Sequence, residues 1–410
     1  MTDKTLSGTV FMVLFLAALT AFGPFVTDFY LPAMPSQAVE LNASASLTQA
    51  GLSASMWGLA IGQLIIGPLS DRKGRKIPLL YSLGVFSVAT VGCIIAPSME
   101  FFVAARFIQG LGGAGGIVLA KSIASDLYSG RDLAKFLSVI GAVQGLAPVL
   151  GPMCGALVNQ YLNWRDIFVV LLAIGLVLLV ATLFFKETLA GYRRSNQSLP
   201  FSSLFTLVKS DTPFALLLCQ QCAGFGLLFA YISASPFLFQ NYFGLSAISY
   251  SLVFGLNSIM IAVGTFLCQR MRSASDSLKI GSSLMLILSV ACAGFIFLAP
   301  SVWAVEACLA LALMSLGMTL PSGTAMALDR QKKRAGSAAA LLGALGFVVG
   351  GLVAPLSGYG SQGEGLAVII VASTAISLAC ALSAIARLKR EPAAPDTHGE
   401  ALDLGDRHAK

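Results

Sequence analysis

The chain has 410 residues, of which 56% are hydrophobic and only 11% are charged, and its formal net charge is +7. Because a soluble domain carries about 25% charged residues, this composition excludes a soluble globular protein and predicts an integral membrane protein. The basic residues are spread over many short polar segments, which indicates orientation in a lipid bilayer rather than a nucleic-acid partner.

Apolar segments long enough to cross a bilayer recur along the whole chain. A helix needs about 20 mostly apolar residues to span the hydrocarbon core. The first such segment follows Lys4, and we expect it to remain as a span rather than to be removed as a signal peptide. We predict an all-α membrane protein with twelve transmembrane helices, at 8–31, 46–69, 77–97, 99–124, 134–158, 165–186, 213–237, 247–270, 279–299, 302–326, 336–358 and 366–387.

The longest polar stretch between spans follows the sixth span and divides the chain into two sets of six. We therefore predict an N-terminal six-helix bundle at 1–186, a cytoplasmic linker at 187–212 and a C-terminal six-helix bundle at 213–388. The remaining segment, 389–410, is polar and contains two prolines, so we expect a disordered cytoplasmic tail.

The distribution of charge supports the number of spans and gives their orientation. If the N-terminus is cytoplasmic, all lysines and arginines except Arg106 and Arg165 fall on the cytoplasmic side of the twelve spans. Positive residues mark cytoplasmic loops, so we predict that both termini are cytoplasmic. The outer side carries acidic residues instead, namely Glu40, Glu100, Asp166 and Glu364, with Glu306 near the outer end of span ten.

Two charged residues lie at membrane depth under this topology. Asp28 falls in the outer third of span one, and Arg106 falls in the outer half of span four. A charge inside a bilayer is costly and usually functional. The other polar groups of the spans are neutral and include Gln63, Gln109, Gln144, Gln220, Gln221, Tyr231 and Asn257.

Residues that would indicate an enzyme or a metal site are missing from the predicted spans. His398 and His408 are the two histidines of the chain, and both lie in the polar tail. The eight cysteines lie almost entirely in apolar segments, where cysteine behaves as a small hydrophobic residue. Because no phosphate-binding loop occurs either, we predict neither an enzyme nor a cofactor nor a metal.

The predicted loop between the second and third spans reads GPLSDRKGRK. It resembles the signature loop of the major facilitator superfamily, and the matching residues are Gly67, Asp71, Arg72, Gly74 and Arg75. Glycines permit a tight turn, and an aspartate here can face the positive N-terminus of a neighbouring helix. The resemblance implies a major facilitator fold of two six-helix bundles.

A latch on the cytoplasmic side also follows from this loop. Asp126 lies just beyond the fourth span and on the same predicted side as the basic loop. We expect it to be the acidic partner of Arg72 or Arg75, together with Asp71.

Two further stretches resemble motifs of the same superfamily. RFIQGLGGAGG, which begins at Arg106, resembles its fourth-span motif, and Gln109 lies one turn away on the same helix face. APVLGPMCGA resembles the fifth-span antiporter motif of the drug exporters, with matches at Gly151, Pro152 and Gly155. Ordinary close packing of small residues is the alternative reason for these glycines.

The end of the first span, TDFYLPAMP, narrows the resemblance to one group. It resembles the Bcr/CflA group of bicyclomycin and chloramphenicol exporters, which has an aspartate, an aromatic residue, Leu-Pro and a second proline. The corresponding residues here are Asp28, Tyr30, Leu31, Pro32 and Pro35. The resemblance implies a proton-coupled exporter of small amphipathic compounds in the inner membrane of a bacterium, acting as a monomer.

The function expected from these observations centres on Asp28. A carboxylate that faces a poorly hydrated cavity can hold a proton at one stage and release it at another, so we expect Asp28 to couple proton and substrate, with Arg106 as the resident cation. A solvated helix end is the alternative for Asp28, and a transporter of one metabolite such as a nucleobase or amino acid is the alternative function. The expected substrate-binding residues, for which hydrogen bonding between helices is the alternative role, are Tyr30, Gln63, Gln109, Gln144, Gln221, Tyr231 and Asn257.

Overall fold

The structure, a computed structural model of the chain, describes residues 3–128, 130–189, 208–209, 211–331, 335–360 and 363–390. Within these ranges, the description leaves out the side chains of residues 3–10, 130–145, 335–337, 339 and 340. Most of the predicted linker at 187–212 and the predicted tail beyond residue 390 lie outside the described residues. The borders of the bundles, the linker and the tail therefore stay predictions.

The described residues form twelve long helices and no strand, which confirms the predicted all-α architecture. Over the described residues, ten of these helices are long and apolar enough to cross a membrane. The helices are α1 (Asp3–Asp28), α2 (Ala45–Lys73), α3 (Lys76–Ile94), α4 (Met99–Leu127), α5 (Gly130–Tyr161), α6 (Trp164–Phe184), α7 (Thr212–Pro236), α8 (Ala247–Arg270), α9 (Ala274–Leu298), α10 (Val302–Arg330), α11 (Ala335–Ser357) and α12 (Glu364–Arg390).

The first helix ends three residues earlier than predicted. It ends at Asp28, and a short 3-10 turn over Leu31–Ala33 leads into a short helix, Met34–Glu40. Pro32 and Pro35 explain the break, because each lacks an amide N–H and neither can continue a preceding α-helix without losing a hydrogen bond. The break places the last residue of α1 at the point where the backbone changes direction.

Polar residues at the helix starts explain several of the boundaries. Ser44 and Ser98 each accept a hydrogen bond from a backbone N–H in the first turn of α2 and α4. Asn163 and Asp166 form a capping box at the start of α6, and Asp211 caps α7. Such caps satisfy backbone N–H groups that have no partner inside the helix.

The two halves pack their six helices in the same order. In the first half α1 contacts α4 and α5, α2 contacts α4, and α3 contacts α4 and α6. In the second half α7 contacts α10 and α11, α8 contacts α10, and α9 contacts α10 and α12. Each contact therefore recurs six helices later, which is the internal repeat typical of many transporters.

The halves meet through α2 against α11 and α5 against α8. The counterpart of α2 in the other half is α8, and that of α11 is α5. Exchanging the halves therefore turns one pair into the other, so the interface has an approximate two-fold axis. Three side chains donate hydrogen bonds across it to carbonyl oxygens of proline residues. The Ser46 hydroxyl donates to the Pro355 oxygen at 2.9 Å, and the Ser251 hydroxyl donates to the Pro152 oxygen at 3.0 Å. The Gln240 amide donates to the Pro32 oxygen at 3.1 Å.

Glycines allow α2 and α4 to pack backbone against backbone. A Cβ on Gly58 would overlap the Phe107 carbonyl oxygen, and one on Gly110 would overlap the Ser55 carbonyl oxygen. Close approach through small residues is how membrane helices gain packing energy in lipid. The glycines of RFIQGLGGAGG thus have a structural reason in this half.

The helix ends lie on two faces of the molecule that differ in charge. We call the face where α2 ends and α3 begins the basic face, and the face where α1 ends and α2 begins the opposite face. Described basic residues at the helix ends of the basic face are Arg72, Lys73, Arg75, Lys76, Arg270, Arg330, Arg387, Lys389 and Arg390. The hydrogen bonds between the halves named above lie toward the opposite face. That the basic face is cytoplasmic stays a prediction.

Candidate functional site

A cavity of about 410 Å³ lies between the two halves. Asp28 of α1 and Pro148 of α5 line it from the first half, and α7 and α8 supply the rest of its described wall. That wall is mostly apolar with a few polar groups, a composition typical of small-molecule sites. Its members from the second half are Leu228, Tyr231, Ile232, Phe254, Asn257, Ser258, Ile261, Ala262 and Thr265.

Asp28 contributes a carboxylate to this cavity and is 6% exposed. The Thr27 hydroxyl lies 2.9 Å from Asp28 Oδ1 and can donate a hydrogen bond to it. Within the described part of the chain, no lysine or arginine forms an ion pair with this carboxylate. Asp28 is therefore a buried acid on the wall between the halves and not a solvated helix end.

A second buried carboxylate, Glu306 of α10, lies behind the cavity wall and is 5% exposed. Asn257 Nδ2 donates to Glu306 Oε2 at 3.2 Å and to the Tyr231 hydroxyl oxygen at 2.9 Å. Tyr231 and Asn257 themselves line the cavity. A hydrogen-bonded row thus connects Glu306 to the cavity that holds Asp28.

Arg106 lies elsewhere in the first half and is fully buried. Its Nη1 donates to the Val26 carbonyl oxygen at 3.1 Å and to Gln109 Oε1 at 2.6 Å. Its guanidinium carbon lies 4.7 Å from the centre of the Tyr30 ring and 5.7 Å from that of Phe168, both cation–π distances. Within the described residues Arg106 makes no ion pair with Asp28. Arg106 therefore binds α1 through the backbone of that helix and not through the Asp28 carboxylate.

The basic face carries a charge cluster at the signature loop. Arg75 Nε lies 2.9 Å from Asp126 Oδ2, and Arg75 Nη1 lies 2.6 Å from Asp71 Oδ1 and 2.8 Å from Ser70 Oγ. Gly74 precedes it with a φ of 91°, a backbone conformation that favours glycine. The structure thus brings Asp71, Arg75 and Asp126 together as expected, and their part in transport stays a prediction.

The fifth-span motif lies where α5 passes α1 and α8. A Cβ on Gly155 would overlap the Phe29 carbonyl oxygen, so α5 and the end of α1 touch through their backbones. A Cβ on Gly151 would lie 3.7 Å from the Cβ of Asp28, an ordinary contact. The carbonyl oxygen of Pro152 accepts the hydrogen bond from α8 described above. The motif therefore lies beside Asp28 and at the contact between the halves.

The family model of the Major Facilitator Superfamily matches residues 10–355, most of the chain. The chain belongs to the major facilitator superfamily. It is therefore a multi-pass membrane transporter of small substrates and not an enzyme.

Curated relatives confirm the resemblance to the Bcr/CflA group. The chain is 37% identical to an uncharacterized MFS-type transporter, YdgK, of Bacillus subtilis (strain 168), with 84% of this chain and 87% of that protein aligned. It is 31% identical to a chloramphenicol resistance protein of Pseudomonas aeruginosa, over 72% of this chain and 70% of that protein. It is 29% identical to a bicyclomycin resistance protein homolog of Haemophilus influenzae, over 85% and 89%.

Solved structures of other transporters share the fold. A bacterial homolog of the human lysosomal transporter Spinster, in an inward-facing and unoccupied conformation, superposes with a TM-score of 0.76. It covers 94% of this chain and 98% of its own, at 18% identity. The nucleoside transporter NupG superposes with a TM-score of 0.71 at 14% identity, over 93% and 100%. These likenesses confirm the major facilitator fold of two six-helix bundles.

Several residues expected to bind substrate lie away from the cavity of this transporter. Tyr30 packs beneath Arg106, and Gln109 donates to the Thr90 hydroxyl at 2.8 Å. Gln221 donates to the Thr324 hydroxyl at 3.0 Å, and Gln63 is not part of the cavity wall. The side chain of Gln144 lies outside the described residues. Tyr231 and Asn257 are thus the expected substrate residues that line the cavity with Asp28.

Residues of the signature loop differ in how strictly the structure requires them. A Cβ on Gly67 would lie 3.9 Å from Val118, so its neighbours leave room for a side chain. Arg72 also interacts with the rest of the protein. The positive φ of Gly74 makes it the glycine of this loop with a clear backbone requirement.

Glu187, which follows the sixth span, is a further functional candidate beside the signature loop. Its carboxylate accepts hydrogen bonds from the backbone N–H groups of Arg75, Lys76, Thr188 and Leu189 at 2.8 to 3.1 Å. Partial burial raises the pKa of this carboxyl, but the four donors outweigh it and hold the pKa below its ordinary value. Glu187 thus ties the end of α6 to the first turn of α3.

Glu306 was expected near the outer end of span ten, as the acid next in line after Asp28, and the structure buries it. It lies three and seven residues before Leu309 and Leu313, which are both buried, so it shares their helix face. Its position near a helix end suggested solvent exposure instead. Helical spacing would have placed it inside the bundle.

Proposed function

We propose that this transporter exports small amphipathic compounds across the inner membrane of a bacterium in exchange for protons. The single observation that carries the proposal is the buried carboxylate of Asp28 on the wall of the cavity between the halves. The names of two relatives, a chloramphenicol resistance protein and a bicyclomycin resistance protein homolog, support the choice of substrate class.

Asp28 can link the two fluxes through competition for its oxygen atoms. A carboxylate in a poorly hydrated site is costly as an ion, and a proton or a substrate can each relieve that cost. A substrate that hydrogen-bonds to the carboxylate, or pairs with it, then excludes the proton from the same atoms. One charge that crosses a potential of 100 mV supplies about 2.3 kcal/mol, which is enough to drive a useful concentration ratio.

The arrangement of the halves supplies a route for alternating access. The halves are hydrogen-bonded to each other toward the opposite face, so we expect substrate to enter from the basic face, which we take as cytoplasmic. The signature loop and Asp126 hold neighbouring helix ends together on that face. Export requires the contacts on the opposite face to break while new ones form on the basic face.

The test is ligand-induced proton release from the purified transporter in weak buffer. The probes are chloramphenicol, which is neutral, and tetraphenylphosphonium, which is an organic cation. Wild-type protein is expected to release protons when a probe binds, and Asp28→Asn is expected to release fewer, because it keeps the size of the side chain and removes its titration.

The matched control is Asp28→Glu, which keeps a titratable carboxyl on the same wall and should retain release. Equal release from wild type and Asp28→Asn would contradict the coupling role of Asp28. If neither probe binds and a vesicle assay shows proton-driven movement of one nucleobase or amino acid, the alternative function replaces drug export.

A further inference from the structure

We propose that Glu306 is a second proton-binding carboxylate of this transporter, and that the side-chain amide of Asn257 turns over when that proton binds. The turn would switch the hydrogen-bonding character of the cavity wall between acceptor and donor. The proposal rests on the proposed function in one respect, since it adds a proton site to a proton-coupled exporter.

The geometry of the row Glu306–Asn257–Tyr231 leaves specific atoms without partners. Asn257 is fully buried, and its Nδ2 donates to both neighbours. In the described part of the chain, Glu306 Oε1 and Asn257 Oδ1 have no hydrogen-bond partner. Buried polar atoms are nearly always satisfied, so these two orphans mark the row as the place where the hydrogen bonding of the wall is incomplete.

Among the residues that the structure describes, no lysine or arginine forms an ion pair with Glu306. The titratable groups that interact electrostatically with it from the packed helices are Tyr231 of α7, Tyr250 of α8 and Cys292 of α9. Asp28 of α1 interacts electrostatically with the same two tyrosines. All of these are neutral or acidic. Since a buried carboxylate without a cation is costly, uptake of a proton by Glu306 removes that cost.

The amide of Asn257 can serve both protonation states. When Glu306 is ionised, its carboxylate is an acceptor and the NH₂ group of Asn257 donates to it and to Tyr231. When Glu306 carries a proton, its O–H is a donor and needs an acceptor. Turning the amide over places Oδ1 where Nδ2 was, and Oδ1 then accepts from the Glu306 and Tyr231 hydroxyls. The two amide atoms have nearly the same size, so the exchange needs no repacking.

The proton balance of this step is simple. One proton binds at the Glu306 carboxyl, and no other bond to hydrogen is broken, because Tyr231 changes from accepting to donating with its own proton. Before the turn, the carbonyl oxygen of the Asn257 amide has no partner, and after the turn the NH₂ group has none. Asn257 belongs to the cavity wall, so this exchange of an acceptor for a donor takes place beside the space for substrate.

The experiment is an infrared titration of purified protein without substrate and without a proton gradient. Working in an Asp28→Asn background removes the other buried carboxyl of the cavity. The difference between the spectra of this background with and without Glu306→Gln cancels the other carboxyls. It should show the carbonyl stretch of one protonated carboxylic acid as the pH falls. Because no transport is measured, failure here is distinct from failure of the proposed function.

The amide switch is tested with Asn257→Leu, which keeps the bulk and removes both amide atoms. The frequency and the titration midpoint of the Glu306 band should both shift. Gln220→Leu is the matched control, since it removes a buried amide that bonds Ser377 at 3.4 Å and should leave the band unchanged.

Two results would overturn the proposal. A difference spectrum without a carbonyl band would place the proton elsewhere. A band that is lost on Glu306→Gln but unchanged by Asn257→Leu would contradict the switch. If Asn257→Leu does not fold, Asn257→Ala in the same background gives the same test, because it also removes both amide atoms.

Discussion

Gly155 of α5 packs its Cα directly against the carbonyl oxygen of Phe29, and no Cβ fits between them. Phe29 follows Asp28, so this contact fixes the backbone that carries the buried acid. The fifth-span glycine therefore acts through α1, and its effect on transport follows from where it holds Asp28.

Replacing Gly155 by alanine should force α5 and α1 apart. Overpacking a well-packed site costs about 1–3 kcal/mol, and the obstacle here is backbone, which cannot move aside like a flexible side chain. We expect a lower unfolding temperature in detergent and a slower efflux of chloramphenicol from vesicles. Gly151→Ala is the matched control, since its Cβ would meet Asp28 at an ordinary 3.7 Å. Similar losses from both variants would contradict this reasoning.

The charge cluster on the basic face should depend more on Asp126 than on Asp71. Both pair with Arg75, but the side chain of Asp126 is 8% exposed and that of Asp71 is 53% exposed. Loss of a buried charged hydrogen bond costs about 2 kcal/mol, and solvent compensates most of the loss at an exposed one. Asp126→Asn should slow transport strongly and Asp71→Asn more mildly, with both proteins still in the membrane. Normal rates in inserted Asp126→Asn would contradict a latch.

The carboxyl of Glu187 predicts a dependence of stability on pH. Its folded pKa lies below the ordinary value of about 4.3. Its stabilisation is therefore present above that value and is lost as the pH falls through the folded pKa. The unfolding temperature of wild type should exceed that of Glu187→Gln near neutral pH, and the difference should shrink below about pH 4. A difference that stays constant over this range would show that Glu187 acts without its charge.

Arg165 on the opposite face should resist replacement by lysine. Its guanidinium donates to the carbonyl oxygens of Ile94 at 3.0 Å and Ala96 at 3.1 Å and forms an ion pair with Glu40. Lysine is a point charge on a flexible stem and cannot reproduce this fork. We expect Arg165→Lys to lower stability by about 1 kcal/mol, measured by thermal unfolding. Glu40→Gln leaves both carbonyl contacts and should cost less, so a larger loss from Glu40→Gln would contradict this account.

Much of the fold followed from local properties of the sequence. The twelve helices follow from runs of about 20 apolar residues, and the end of α1 follows from Pro32 and Pro35. The superfamily follows from the signature loop, whose residues are adjacent in the chain. Asp28 could be singled out because a charge within an apolar run stands out against its neighbours.

The composition of the cavity wall could not be read in this way. Among seven expected substrate residues, Tyr231 and Asn257 line the cavity, whereas Gln109 and Gln221 bond to neighbouring helices. In a soluble protein the apolar face of a helix marks the side that is buried. A membrane helix is apolar toward lipid as well, so hydrophobic periodicity does not separate the inner face from the outer one.

The sequence by itself therefore determined the class of the protein, its twelve helices, its superfamily and the presence of an acid near the end of the first span. Tertiary structure decided which polar groups meet. Arg106 holds the backbone of α1 at Val26 rather than the carboxylate of Asp28, and Glu306 meets Asn257 across 49 residues of chain. The physical reason is that hydropathy and proline act along the chain, whereas hydrogen-bond partners are chosen by how helices rotate and pack against each other in lipid.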